Sequence, residues 1–245
     1  MCTVVVMFRP GHAWPLILAA NRDEMIARPW SGPARHWPDR PQVVAGRDEL
    51  AGGTWLGLND QGMAAAMLNR QGSLGPQAGM RSRGELPLEA LDHADARSAA
   101  DALVHIEPRS YRSFNMVIAD RNAAFWIRSQ DTLGVFPIPE GLSMITSRER
   151  NDSASDRIRL YLPRFARAAP PDPGAGDWAE WRALLASREH AAGGGSHGAM
   201  TLAPEQGYGT VSASLIALPS RADAKPIWLF APGAPDLVPF APVAL

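Results

Sequence analysis

Apolar runs separated by turn residues predict paired β-strands at the start of the chain. Thr3 to Phe8 and Leu16 to Ala20 are apolar runs, and segment 9–15 between them contains a glycine and two prolines. Apolar runs bounded by such residues are typical of a β-hairpin. We therefore predict a hairpin whose turn centres near His12.

Further strands and helices alternate along the rest of the chain. Segments 53–58 and 63–68 flank the turn Asn59–Gly62 and predict a second hairpin, which ends at Asn69. Apolar residues at helical spacing from Leu86 to Ile106 predict one long helix or two short ones. The remaining apolar runs predict strands within 114–119, 124–127, 135–146, 211–218 and 226–230, and helices at 158–166 and at 178–188 with Asp177 as its N-cap.

The order of these elements determines the predicted fold class. Strands interleaved with pairs of helices favour two sheets packed between helical layers. The chain has 245 residues, and we find no internal repeat and no boundary strong enough to divide it. We therefore predict an α+β fold in one domain that covers residues 1–245.

Composition and charge exclude several classes of protein. The chain is 46% hydrophobic and 20% charged, with a net charge of −1, which is typical of a globular protein and provides no positive field for nucleic acid. No apolar run approaches the roughly 18 residues of a membrane span, and no signal peptide is recognisable. The six histidines lack metal-ligand spacing. We expect a cytoplasmic protein that binds neither a metal ion nor nucleic acid and is not integral to a membrane.

The single cysteine, Cys2, is the residue with the clearest chemical potential. One cysteine permits no intrachain disulfide, which fits a reducing compartment. If Met1 is removed, Cys2 carries a free α-amino group with a pKa of about 7.7–8.0 beside a thiol with a pKa of about 8.5. One residue then supplies both a nucleophile and its base.

The predicted hairpin indicates which residues lie beside Cys2. With the turn near His12, paired residue numbers sum to about 24, so Cys2 faces Arg22, with Asn21 and Asp23 on either side. Arg22 could lower the thiol pKa, and Asp23 could hold the α-ammonium group. Neighbouring strand residues point to opposite faces, so both reach Cys2 only if the strand ends or bulges. A buried cysteine near a salt bridge is the alternative interpretation.

Several short motifs resemble those of a known family. Asn21-Arg22-Asp23-Glu24 follows an apolar strand in a chain that begins Met1-Cys2, and this combination resembles the NRDE-motif family, also called the transport and Golgi organisation protein two family. Four further segments of the chain are similar to the other signatures of that family, and they occur in the same order: 45–48, 52–57, 82–86 and 208–210.

That family in turn resembles N-terminal nucleophile hydrolases of the bile-salt hydrolase and penicillin V acylase type. The resemblance implies a four-layer αββα sandwich with two mainly antiparallel sheets. It also implies that the amide of Asn69 donates to the oxyanion formed at the scissile carbonyl. The alternative for Asn69 is a turn residue that closes a hairpin.

The chain departs from the hydrolase pattern at three places. In those enzymes the arginine and aspartate are three residues apart, whereas Arg22 and Asp23 are adjacent. Met144 and Val211 stand where those hydrolases or many family members have an asparagine and an arginine, respectively. A second oxyanion donor and a late cation are therefore absent from these positions.

Three functions remain open. The chain is a candidate N-terminal-cysteine hydrolase of linear, non-peptide amides, with Cys2, Arg22, Asp23 and Asn69 as catalytic residues. Asn21 and Glu24 are candidate residues for binding the small-molecule apolar or acyl-amide ligand, and no cofactor is required. The second hypothesis is a non-catalytic binding protein for an apolar ligand, either haem or a lipid or acyl thioester, although no Cys-x-x-Cys-His motif is present. The third is a scaffold.

Overall fold

Two antiparallel sheets form the centre of the structure, which a computed structural model describes over residues 2–193 and 195–245. The first sheet has the order β10-β1-β2-β11-β12-β13. Its strands are β1 (Thr3–Phe8), β2 (Leu16–Met25), β10 (Gly141–Ile145), β11 (Tyr208–Leu218), β12 (Ile227–Ala231) and β13 (Ala241–Pro242).

The second sheet is an antiparallel meander in which strands follow each other in chain order from β3 to β9. Its strands are β3 (Trp30–Ala34), β4 (Val43–Asp48), β5 (Leu56–Asn59), β6 (Ala64–Asn69), β7 (Phe114–Ala119), β8 (Ala124–Ser129) and β9 (Leu133–Pro137). Sequence-adjacent pairing needs only short connections, which accounts for the turns that the chain places between most of these strands.

Helices cover the outer face of each sheet. The second sheet packs against α1 (Leu86–Leu91) and α2 (Ala96–Leu103), and the first packs against α3 (Asp156–Arg167) and α4 (Ala179–Ala186). A separate apolar core, which includes Val6, Leu18, Leu58 and Val117, fills the space between the sheets. The predicted four-layer αββα sandwich is therefore confirmed.

The observed register of the first hairpin agrees with the predicted one. Thr3 pairs with Asn21 and Phe8 pairs with Leu16, so paired residue numbers sum to 24. The second hairpin is also present, with Leu58 of β5 opposite Ala64 of β6. Both hairpins follow from apolar runs separated by turn residues.

Some element boundaries differ from the prediction for local reasons. β2 continues past Ala20 to Met25, because its other edge pairs with β11 as far as Tyr208. Segment 86–106 forms two helices, and the Asp95 side chain caps the second by accepting from the Ser98 N–H. α4 begins with Trp178 as its N-cap, so the predicted N-cap Asp177 is wrong by one position.

None of the helices within residues 2–193 and 195–245 has both the length and the apolarity that a bilayer-spanning segment needs.

A close approach between two backbones brings segment 82–86 against the start of β5. The Gly84 carbonyl accepts from the Thr54 N–H at 2.8 Å. A Cβ atom at Gly53 would lie 2.4 Å from the carbonyl carbon of Gly84, so only glycine permits this contact. The contact fixes the position of the neighbouring Arg83 relative to the second sheet.

Candidate functional site

A cavity of about 240 Å³ lies where the layer between the sheets meets segment 75–84. Four of the predicted site residues line it: Cys2, Arg22, Glu24 and Asn69. The other two, Asn21 and Asp23, do not line this cavity. The rest of its wall comes from Arg28, β4, the segment between β4 and β5, Met67 of β6, segment 75–84 and Arg112.

The Cys2 thiol is partly buried at the start of β1 and packs against the core between the sheets. Its Sγ donates to the backbone carbonyl of Asp23 at 3.4 Å. Burial raises the pKa of the Cys2 thiol, because a desolvated thiolate is unfavourable, and the nearby Arg22 charge only partly opposes this rise in pKa. We predicted that Arg22 lowers this pKa; its charge acts in that direction, but burial outweighs it.

Arg22 is buried in the wall of the cavity beside two tryptophans. Its guanidinium carbon lies 4.1 Å from the ring centroid of Trp55 and 6.0 Å from that of Trp30, as in a cation–π contact. Nη2 lies 3.7 Å from the Asp48 carboxylate and 3.9 Å from that of Glu24. Nη1 is buried without a hydrogen-bond partner among the residues that the structure describes. Arg22 therefore has an unused donor at the cavity wall.

Asp23 connects to Cys2 through its backbone. Its carbonyl accepts from Cys2 Sγ and, at 3.1 Å, from the Tyr208 hydroxyl. Its carboxylate accepts from Thr210 Oγ1 at 2.6 Å and from Arg157 Nη1 at 3.0 Å. The alternation of side chains along β2 explains this arrangement, because Arg22 faces the other sheet and Asp23 faces α3.

The suggested end or bulge of β2 at Arg22 and Asp23 is not present, and the irregularity at this place lies in the partner strand β11. The register between β2 and β11 shifts between Thr210 and Ser212, so Val211 is the extra residue beside Arg22 and Asp23. β2 itself continues without interruption to Met25. The predicted contact between Asp23 and an α-ammonium group depends on Met1, which lies outside the described residues.

Asn21 ties β2 to the helical layer. Its Nδ2 donates to the carbonyls of Leu185 at 2.9 Å and Met200 at 3.0 Å, and the side chain is 1% exposed. The side chain shares the outer face of the sheet with Asp23. This geometry supports a role in anchoring α4 and the segment that follows it, whereas we predicted a role in substrate binding.

Asn69 ends β6 at the cavity, opposite Phe114 of β7. Its side-chain amide makes no hydrogen bond within residues 2–193 and 195–245, so both N–H groups are available to a ligand. The Glu24 carboxylate already has partners within the protein. Its Oε1 accepts from the Met25 N–H at 2.8 Å, and its Oε2 lies 3.9 Å from the guanidinium groups of both Arg22 and Arg28.

The sequence analysis missed several charged residues of the cavity. Arg28 donates to Asp48 at 2.6 Å, and Arg83 and Arg112 line the wall next to segment 75–84. Arg83 lies within the motif at 82–86, which was noted as a family signature without a chemical role. Arg157, which holds the Asp23 carboxylate, has no local signal, since it lies 134 residues away in sequence.

The fold defines the structural class of the protein. Two antiparallel sheets between helical layers, with a cysteine at the start of the first strand, form an N-terminal-nucleophile-hydrolase-like structure. The chain belongs to the Transport and Golgi organisation 2 family, whose profile matches residues 1–158.

Curated relatives in mammals agree with this assignment. The human Transport and Golgi organization protein 2 homolog is 37% identical over 132 residues, which are 51% of this chain and 47% of that protein. The homolog from Bos taurus is 37% identical over 131 residues, 50% of this chain and 46% of that protein. The match therefore spans about half of the length of these relatives.

Solved structures with little sequence identity share the fold. A Caenorhabditis elegans ortholog of N-acylethanolamine-hydrolyzing acid amidase has a TM-score of 0.62 at 13% identity, with 91% of this chain and 94% of that chain covered. A variant of the conjugated bile acid hydrolase from Clostridium perfringens has a TM-score of 0.58 at 10% identity, with 100% and 97% covered. At such identities the likeness shows the fold alone.

We predict that Arg157→Leu destabilises the protein by about 3–5 kcal/mol, because it breaks the fully buried ion pair between Arg157 and the Asp23 carboxylate. The matched control is Arg159→Leu on the same helix, whose ion pair with Asp156 is exposed and should contribute at most about 1 kcal/mol. Urea unfolding of both variants measures the difference. Equal stability of the two variants would show that the Asp23 carboxylate does not need Arg157.

Proposed function

We propose that the chain is a hydrolase of linear, non-peptide amides in which Cys2 acts as the nucleophile after Met1 is removed. One observation carries the proposal: the Cys2 thiol shares a cavity with the free amide of Asn69 and with the buried guanidinium of Arg22. A nucleophile, a neutral hydrogen-bond donor and a fixed positive charge are what acyl transfer requires.

The proposed reaction begins with the α-amino group of Cys2. This amine takes the thiol proton, and Sγ attacks the amide carbon to form a tetrahedral oxyanion. Asn69 Nδ2 donates to that oxyanion, the C–N bond breaks, and the leaving amine takes the proton from the α-ammonium group. Water then attacks the thioester, so that the acid is released and the thiol is restored. No cofactor takes part in these steps.

The raised pKa of Cys2 is compatible with this proposal if the site is activated by processing. Before Met1 is removed, the nitrogen of Cys2 is an amide and cannot accept a proton. Burial then keeps the thiol neutral and unreactive. Removal of Met1 converts that nitrogen into an amine, the base that the thiol lacks.

The wall of the cavity supports an acyl substrate. Trp55, Met67 and Met80 provide apolar surface in the cavity that Cys2 lines. Methionine side chains adapt to ligands of irregular shape because they are unbranched and polarisable. An acyl chain on this wall would leave its carbonyl near the sulfur.

A binding protein without hydrolysis is the second candidate. Met144 lies buried in β10 and Val211 lies in the bulge of β11, so neither position supplies the polar group found in many relatives of this fold. Within the described cavity lining, the donors available to haem iron are the sulfurs of Cys2, Met67 and Met80, with no histidine. If the chain is a binding protein, the apolar side chains of the cavity could also contact a lipid or an acyl thioester.

We predict that removal of Met1 activates Cys2. In chain that retains Met1, the rate of iodoacetamide labelling should rise with pH through a midpoint above about 8.5, the ordinary thiol value, because burial raises the thiol pKa. Treatment with methionine aminopeptidase, verified by intact mass, should lower that midpoint. Cys2→Ala is the control and should not label. Identical midpoints before and after treatment would contradict the proposed nucleophile.

We predict that Asn69→Ala lowers the kcat for an N-acyl aminocoumarin substrate about 10²–10³-fold, the usual effect of removing one oxyanion donor. The matched control, Asn122→Ala, changes an amide in the turn between β7 and β8, outside the cavity. Initial rates of both processed variants measure the effect. A processed wild-type chain that labels at Cys2 but releases no coumarin would favour the binding protein instead.

A further inference from the structure

The cavity wall holds more positive charge than its carboxylates neutralise. Five arginines line it, against two acidic residues: Arg22, Arg28, Arg81, Arg83 and Arg112 against Glu24 and Asp48. Asp48 is paired with Arg28 at 2.6 Å, and Arg81 is paired with Glu85, also at 2.6 Å. Arg83 and Arg112 form no ion pair among the described residues.

Backbone carbonyls and a hydroxyl hold these two side chains in place. Arg83 Nη1 donates to Ser73 Oγ and to the Ser113 carbonyl, both at 2.9 Å. Arg112 Nη2 donates to the Gly72 carbonyl at 2.7 Å, and its Nη1 donates to that of Leu74. These bonds fix both guanidinium groups at the cavity wall without cancelling their charge.

The two guanidinium groups repel each other. Burial lowers the pKa of Arg83 to about 10, and the neighbouring charge of Arg112 contributes to the shift. Arg83 is still cationic at neutral pH. The Gly75 carbonyl accepts from both groups, from Arg83 Nη2 at 3.5 Å and from Arg112 Nη1 at 3.3 Å, so the two charges share a neutral acceptor and neither charge is neutralised. An anionic ligand would relieve the repulsion between them.

We infer that Arg83 and Arg112 form an anion subsite of the Cys2 cavity, which binds a carboxylate or phosphate group carried by the ligand. Arg22 adds a second, deeper donor, since its Nη1 is buried and unpartnered. The same cavity is also lined by the apolar side chains of Trp55, Met67 and Met80. The ligand is therefore an amphipathic acyl compound with an anionic group at its polar end.

This inference deepens the proposed function, because it takes the Cys2 cavity as the site and an acyl amide as the ligand. Binding does not require turnover, so the two can be tested separately. A Cys2→Ala chain that binds an anionic acyl amide would support the subsite even if the native chain never hydrolyses it.

The test uses calorimetry on the Cys2→Ala chain to measure the affinity for acyl amides whose polar ends differ in charge. N-decanoylglycine carries a carboxylate, N-decanoylglycinamide is its neutral counterpart, and N-decanoyl-O-phosphoethanolamine carries a phosphate. We expect at least one of the two anionic ligands to bind with an affinity roughly tenfold higher than that of the neutral ligand. A gain of this size is typical of a hydrogen bond to a charged group. The ratio between the two anions identifies the preferred group.

Arginine variants locate the binding. Adding Arg83→Gln or Arg112→Gln should weaken binding of the preferred anion roughly tenfold and leave binding of the glycinamide unchanged. Arg121→Gln is the charge-matched control, since Arg121 lies in the turn after β7, outside the cavity. Because Arg83 and Arg112 both hold segment 72–75, thermal melts must show that each variant is folded, and the unchanged binding of the glycinamide must show that the cavity is intact.

Each outcome decides the inference. Anion preference that depends on Arg83 or Arg112 supports it, and competition by inorganic phosphate would do so further. Equal affinity for charged and neutral ligands, binding of neither, or an equal loss in Arg121→Gln would overturn it.

Discussion

The antiparallel pairing of β1 with β2 is the constraint on which the candidate site depends. A strand places successive side chains on opposite faces, so a shift of one residue would exchange the faces of every residue in the hairpin. In the observed register Thr3 lies opposite Asn21, and the same alignment, continued by one residue, sets Cys2 opposite Arg22. The inner face thus receives the thiol and the guanidinium group, and the outer face receives Asn21 and Asp23.

The two faces perform different tasks. On the outer face, Asn21 and Asp23 bind α4, the segment after it, Arg157 and Thr210, and so attach the C-terminal part of the chain to the first sheet. On the inner face, burial raises the pKa of the Cys2 thiol, and the Arg22 guanidinium lies against the ring of Trp55. One four-residue motif therefore both anchors the helical layer and lines the cavity.

The sequence was informative wherever the determining contacts are local. Apolar runs and turn residues were sufficient to predict both hairpins and the register that brings Arg22 to Cys2. Because successive side chains of a strand point to opposite faces, the side chains of Arg22 and Asp23 cannot both point at the thiol while the strand is regular. In the structure Arg22 shares the face of Cys2, and Asp23 contacts the thiol through its backbone carbonyl. By contrast, Arg112 and Arg157 come from distant segments, and no local pattern distinguishes them from surface arginines. The bulge at Val211 was equally inaccessible, because it arises from the pairing of β11 with β2.

A disulfide test examines the central register most directly. Cys2 is the sole cysteine, so an Arg22→Cys chain has one pair of thiols, on residues that the register sets opposite each other at a separation a disulfide can span. Under mild oxidation the account predicts an intrachain disulfide, seen as a loss of two hydrogens in the intact mass. Ala20→Cys, on the same face but two residues away, should remain a dithiol. Cross-linking in Ala20→Cys but not in Arg22→Cys would contradict the register and the site built on it.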